Sequence, residues 1–405
     1  MKYDFTSIMD RRGKDAIAVD SLGKPGGFAP GAPKEGFDPI PMWVADMNFP
    51  TVPSIPAAII ARAQHPAYGY FEPTEAYFNA IIRWHQTRNG ADPALLTPEC
   101  IGYENGVLGG VLSALACAAA PGDGVLVHSP TYIGFTKSLK NAGYRIVHSP
   151  LVQDENGVWR MDYADMDAKL KQYKIHAAIF CSPHNPCGRV WEKWEIEKAM
   201  EVYKANDCLV VSDEIWSDIL LDGHKHTPTQ LVSEDARNRT IALYAPSKTF
   251  NLAGLVGSYH IIYNPTLRDR ARALGSKSHY NNMNVLSMHA LIGGYSPEGA
   301  EWVDELCQVL SGNVRFACDY IRDHFPGVKV SRPEGTYMLF LDCTDWCAAH
   351  GKTIDEVQKA GWDVGVAWQD GRMFGGPCAI RMNLALPLTR VEEAFRRLDQ
   401  YVFNA

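Results

Sequence analysis

Residues Thr240–Gly254 read TIALYAPSKTFNLAG. An apolar run of strand type, Thr240–Ala245, stops at Pro246. A lysine follows, Lys248, between two hydroxyl residues, Ser247 and Thr249. A strand buried on both faces reads as a near-continuous apolar run, and ligands gather where such strands end. The same pattern recurs along the chain at Gly124–Ser129, Tyr144–His148, Ala177–Ser182, Cys208–Ser212 and Ser258–Tyr263. Helical patterns at Tyr132–Ala142 and Trp194–Asn206 fall between these runs. Strands alternating with helices predict an α/β fold, a mostly parallel sheet covered by helices.

Outside that block the texture changes. Residues 1–50 are rich in Gly, Pro and charge and read as an irregular arm with little core of its own, part of a small domain. Residues 51–295 form the large domain. Residues 296–405 read as a smaller α+β domain. It has a long charged helix at Ala300–His324, a strand at Gly335–Leu341 and a helix near Ile354–Ala360. A strand at Ala379–Ala385 and a final amphipathic helix at Arg390–Phe403 complete it.

Composition narrows the function classes. With 46% hydrophobic and 21% charged residues over 405 positions, the chain is neither disordered nor fibrous. A net charge of −7 argues against a dedicated nucleic-acid binder. The longest uncharged apolar stretch, Gly106–Gly122, is too short to span a bilayer and reads as a buried helix. The first residues lack the apolar core of a signal peptide. The ten cysteines contain no Cys-x-x-Cys pair and mostly sit in apolar runs, as core thiols do. A cytoplasmic location is expected.

Four stretches carry chemistry. Lys248, at the mouth of an apolar site, is suited to Schiff-base formation, because desolvation favours its neutral, nucleophilic form. A surface lysine in a loop is the plain alternative. Asp213 ends the apolar run Val210–Ser212, and an ionised carboxylate there needs a partner. A cofactor nitrogen or the backbone of a following helix could serve. Asn185 lies in the rigid turn Ser182-Pro183-His184-Asn185-Pro186, held to present its amide or to close an Asx-turn. His184 and Cys187 have no second ligand pair nearby, so no metal site is expected. Gly106 and Val107 open a helix after the short strand Ile101–Tyr103, where free N–H groups suit a phosphate or a plain turn.

In order and spacing these features resemble the pyridoxal-phosphate enzymes of aminotransferase fold type I, and among them the cystathionine β-lyase (MalY/PatB-type C–S lyase) group. The resemblance runs over nearly the whole chain. It includes Pro41-Met42-Trp43-Val44-Ala45-Asp46-Met47, Tyr68-Gly69-Tyr70, Glu104-Asn105-Gly106-Val107 and Pro130-Thr131-Tyr132. It continues through Pro183-His184-Asn185-Pro186, Ser212-Asp213-Glu214-Ile215, Pro246–Gly254 and Ile380-Arg381-Met382-Asn383. It implies a large domain with a mostly parallel seven-stranded sheet and a smaller α+β domain. It also implies pyridoxal 5′-phosphate as cofactor and a homodimer with shared active sites.

Roles follow from the same resemblance. Lys248 carries the cofactor as a Schiff base. Asp213 pairs with the pyridine nitrogen, Asn185 bonds the 3-oxygen and Tyr132 stacks on the ring. The Gly106 and Val107 amides and Ser247 hold the phosphate. Arg381 grips the substrate carboxylate, Trp43 lies near the substrate, and Tyr68 reaches into the partner subunit's site. Loops around Phe28, Trp43 and Trp368 are candidate walls of the side-chain pocket.

Two positions depart from the wider pattern. Many aminotransferases place an arginine eight residues after the lysine, where this chain has Val256; the lyase-like group commonly lacks it too. Trp216 stands where the lyase-like group usually has histidine. Its indole N–H can donate to the cofactor but cannot accept. The implied reaction is α,β-elimination of a cysteine S-conjugate such as cystathionine. An aminotransferase using a keto-acid acceptor is the main alternative, and a ligand-binding regulator that keeps the fold is a third.

Overall fold

The computed structural model describes residues 1–25, 27, 29–277 and 282–404. The chain separates into two compact units. One comprises Thr51–Asn185 with Arg189–Asp304, the other Met1–Pro50, Pro186–Gly188 and Glu305–Ala405.

The larger unit is built on seven strands. In chain order they are β1 (Ile101–Glu104), β2 (Gly124–Ser129), β3 (Arg145–Pro150), β4 (Ala177–Cys181), β5 (Leu209–Asp213), β6 (Thr240–Tyr244) and β7 (Ser258–Ile261). They hydrogen-bond in the order β1-β7-β6-β5-β4-β2-β3. Every neighbouring pair is parallel except those made by β7, which runs antiparallel to β1 and β6. The seven-stranded, mostly parallel sheet expected above is therefore present.

Parallel strands need covering on both faces. On one face Val125, Val127, Ile179, Val211, Ile241 and Leu243 form a core with Val107, Val111 and Leu115 of the Val107–Leu115 helix. Phe135 and Leu139 of the Ile133–Asn141 helix join it. The alternate residues Leu126, Ala178, Phe180, Val210 and Ala242 are buried on the other face, where the Tyr163–Tyr173 helix packs on β2 and β3. Gly110 lets the first helix approach: a Cβ there would lie 2.9 Å from Leu243 Cδ2 and 3.1 Å from Glu104 Cγ. The helix read from the apolar stretch Gly106–Gly122 ends at Leu115, because the last residues before Pro121 close tighter turns, with Ala118 N–H donating to Leu115 O.

The smaller unit holds a four-stranded antiparallel sheet of Lys329–Val330, Met338–Asp342, Ala379–Asn383 and Gln369–Asp370, in that spatial order. The strand expected from Gly335 begins only at Met338, because Thr336 takes a left-handed φ of +66° that an extended strand excludes. The last helix runs Leu388–Leu398 and closes in a π-turn, Asp399–Phe403. The N-terminal arm is irregular, as expected, but it has more core than its sequence suggests. Phe5, Ala18, Ile40, Met42, Met47 and Phe49 are all buried. Ile40 pairs with Val366, and Asn383 Nδ2 donates to the carbonyls of Val44 and Asp46. Those contacts are long-range, so no local periodicity announces them. No helix among the described residues is long and apolar enough to cross a membrane.

Candidate active site

In the larger unit Tyr132, Asn185, Asp213 and Lys248 each stand at or just beyond the carboxyl end of a parallel strand. Asp213 is the last residue of β5 and lies in register between Cys181 of β4 and Leu243 of β6. It is 4% exposed, and its Oδ1 accepts from Ile215 N–H at 3.1 Å. No helix follows, so the carboxylate makes a local turn and not a helix cap. Burial pushes its carboxyl from the ordinary 3.8 up to about 7. The Ile215 N–H lowers it, the charge of Glu214 raises it further, and Lys248 lowers it.

Lys248 follows β6 in the short helical turn Pro246–Thr249. Its ammonium lies 5.8 Å from the centroid of the buried Trp216 ring, within cation–π range. Phe250 N–H donates to Pro246 O and Leu252 N–H to Ser247 O, so the backbone on both sides of the lysine is bonded. Ser247 and Lys248 are half-buried and Thr249 is fully buried.

The turn carrying Asn185 is closed by His184 N–H donating to Arg189 O at 2.8 Å. Asn185 itself is buried. Burial drives the His184 imidazole down to about 4, so it is neutral, and its Nε2–H donates to Pro130 O at 2.7 Å. That bond ties the Asn185 turn to the segment bearing Tyr132. Tyr132 begins the Ile133–Asn141 helix and meets Phe135 edge to face at 5.4 Å. Gly134 is required beneath its ring, since a Cβ there would sit 2.3 Å from Tyr132 Cε1.

Gly106 takes φ +78° and ψ 152°, a conformation open to glycine, and so aims the Val107–Leu115 helix start. Val256 also has a positive φ, +48°, and its carbonyl accepts from Tyr103 O–H at 2.7 Å. Tyr68 lies in an irregular exposed segment; its O–H donates to Ala63 O, and Arg62 stacks over its ring at 5.1 Å.

In the smaller unit Arg381 sits on the Ala379–Asn383 strand and is 3% exposed. Its Nη2 donates to Gln369 Oε1 at 2.5 Å and to Trp43 O at 3.0 Å, and its guanidinium lies 4.3 Å from the Phe374 centroid. Trp43 is thus next to Arg381, and its own indole N–H donates to Ala18 O. Trp368 is buried against Gly361, donating to Gln358 O. Phe28 lies outside the described residues.

Sequence reasoning missed the residue after Asp213. Glu214 is fully buried and accepts four hydrogen bonds. Ser212 O–H and Thr229 N–H donate to Oε1 at 2.8 and 3.0 Å, and His226 Nε2–H and Tyr244 O–H each donate to Oε2 at 2.7 Å. Burial works to raise its carboxyl, but His226 and the other donors outweigh it and hold it below the ordinary 4.5. Asp218 was missed as well; it accepts from the hydroxyl of Thr249, noted above only as a neighbour of Lys248. A run of three carboxylates directly after an apolar strand, at 213, 214 and 218, was the available signal.

The family description "Aminotransferase class I and II" matches residues 40–398. Cystathionine beta-lyase PatB of Bacillus subtilis is 32% identical over 398 residues, 98% of either chain. The structure of cystalysin from Treponema denticola, which contains a pyridoxal 5′-phosphate cofactor, superposes with a TM-score of 0.88 at 29% identity. That match covers 99% of this chain and 98% of cystalysin. The PLP-bound C–S lyase from Staphylococcus hominis gives 0.87 at 26% identity over 98% of both chains. The sheet order, the lysine turn after β6 and these full-length matches agree: the chain belongs to the class I and II aminotransferase family.

Proposed function

We propose that this protein is a pyridoxal-phosphate-dependent carbon–sulfur β-lyase. It takes cystathionine or a related cysteine S-conjugate and, with water, releases a thiol, pyruvate and ammonia. The observation that carries the cofactor in this reading is Asp213: a buried carboxylate raised to about 7, with one backbone donor, at the same carboxyl edge of the sheet as Lys248. Such a group is stabilised by a cation brought to it. A protonated pyridine nitrogen supplies one, so the residues present fit this cofactor. The named activities of PatB, cystalysin and the Staphylococcus hominis enzyme support the lyase chemistry. Val256, in place of a phosphate-binding arginine, points the same way.

Pyridoxal phosphate, when bound, supplies an electron sink conjugated to the substrate α-carbon. The chain supplies the rest. Asp213 keeps the pyridine nitrogen protonated. Asn185 donates to the 3-oxygen, Tyr132 covers the ring, and Trp216 walls the site beside Lys248. The Gly106 and Val107 N–H groups and Ser247 O–H bind the phosphate. Arg381, held by Gln369 and the Trp43 carbonyl, is the proposed anchor of the substrate carboxylate, a job that suits a planar guanidinium. Lys248, once its amine is free, removes the Cα proton, a step worth roughly 10²–10⁴-fold. The thiolate then leaves from Cβ.

A second copy of the chain completes the site in this reading. The segment bearing Tyr68, Tyr70 and Phe71 is exposed and, with Ile60, gives a partner apolar surface to cover. Sedimentation of the purified protein checks this; a monomer would contradict it. The ten cysteines are all free thiols, which suits the cytoplasm.

The functional test is pyruvate release from L-cystathionine by the cofactor-loaded enzyme with no keto acid added. Sustained multiple turnovers are expected. A single turnover that stops until a keto acid is added would replace the lyase by an aminotransferase.

A further inference from the structure

The lysine turn is held from outside its own backbone by Asp218. Asp218 is 4% exposed and collects donors from two separate elements. Trp84, on the Glu75–Arg88 helix, donates its indole N–H to Oδ1 at 3.1 Å and Oδ2 at 3.3 Å. Arg88, one turn further along, forms an ion pair with Oδ1 at 3.3 Å and lies over the Trp84 ring at 5.0 Å. Thr249, the residue after Lys248, donates its hydroxyl to Oδ2 at 2.9 Å.

On its own side Asp218 ends a run of turns that begins at the cofactor face. Ser217 N–H donates to Glu214 O, and Ile219 N–H to Trp216 O. The Asp218 carboxylate therefore staples the loop bearing Asp213 and Trp216 to the turn bearing Lys248. Trp216 and the lysine ammonium, 5.8 Å apart, stand on the two segments that this staple joins. Phe250 reinforces the turn from the next position, packing on Trp84 and Trp302 while its carbonyl accepts from Thr51 O–H.

We infer that Asp218, acting through the Thr249 hydroxyl, is a positioning residue that fixes the arc over which Lys248 presents its amine. The inference rests on the role given to Lys248 above. Thr249 has no exposed surface, so its hydroxyl cannot exchange Asp218 for water. Because Lys248 is its chain neighbour, a shift of Thr249 turns the Cα–Cβ direction of the lysine. Misplacement by about 1 Å costs roughly 10²-fold in rate.

Thr249→Val tests this, since it keeps the branched shape and removes only the donor. The primary readout needs no substrate: the rate at which the visible lysine–cofactor band forms after cofactor-free protein is mixed with pyridoxal phosphate. Expected is a slowing of about tenfold or more. A kcat lowered roughly 10–100-fold should accompany it, with KM within about twofold. Thr249→Ser should restore both, because it returns the hydroxyl donor to Asp218. If Thr249→Val lowers only the melting temperature and leaves the band rate and kcat at wild-type values, the staple is structural and the inference falls. If the wild-type protein forms no band at all, the cofactor reading falls first and takes the inference with it.

Discussion

Two adjacent carboxylates, Asp213 and Glu214, leave the end of the same strand into the interior, and the structure treats them in opposite ways. Glu214 is closed: four donors from four residues fill its two oxygens, and its carboxyl is held below the ordinary range. Asp213 is open: it has one backbone donor, and burial raises it to about 7. Both are buried, so burial does not separate them. What separates them is whether the fold itself supplies the partners. A folded protein completes its structural charges internally. A charge left under-compensated on a ligand-bearing strand edge is a place for something the chain does not contain.

The contrast can be broken by stability measurements on the cofactor-free protein. Asp213 binds its proton more tightly when folded, so its ionisation opposes folding above pH 7. That penalty disappears as the pH falls toward 3.8. Asp213→Asn should therefore be more stable than wild type at about pH 8, by as much as about 4 kcal/mol. The difference should fade on acidification. Glu214 has the opposite sign: its folded value lies below 4.5, so its contribution is complete above that pH and is lost as the pH falls through the folded value. Glu214→Gln should lose about 3 kcal/mol at neutral pH, because it leaves His226 without its charged partner. Urea unfolding across pH checks both. Equal signs for the two variants would remove the distinction between site and scaffold.

A smaller change sharpens the same point. Tyr244→Phe deletes one of the four donors to Glu214 and leaves Asp213 alone. It should cost about 1–2 kcal/mol of stability while cofactor affinity stays within about twofold. A large loss of affinity would show that the Glu214 network reaches the cofactor directly.

The asymmetry also explains what could be read from sequence. Asp213, Lys248 and Asn185 follow apolar runs, and a charged or amide residue in that position has few structural uses. Reading the strands therefore singles them out as candidates. Glu214 was hidden by standing next to Asp213, and nothing local links it to His226 and Tyr244, which are 12 and 30 positions away. Arg381 was legible as an arginine inside a strand. Its supports, Gln369 and the carbonyl of Trp43, were not, since the latter lies 338 residues away. The same long-range logic gave the N-terminal arm a core that its Gly- and Pro-rich sequence conceals. The strand misplaced at Gly335 failed on one backbone angle, at Thr336, that residue type does not announce.

The central claim is that Lys248, on the open side of this pair, holds pyridoxal phosphate. The most direct measurement is the visible absorption of cofactor-free protein after mixing with pyridoxal phosphate and desalting, run in parallel with Lys248→Ala. Expected is a stable band at one cofactor per chain in the wild type and none in the variant. A colourless wild type, or a band of equal strength in Lys248→Ala, would contradict it.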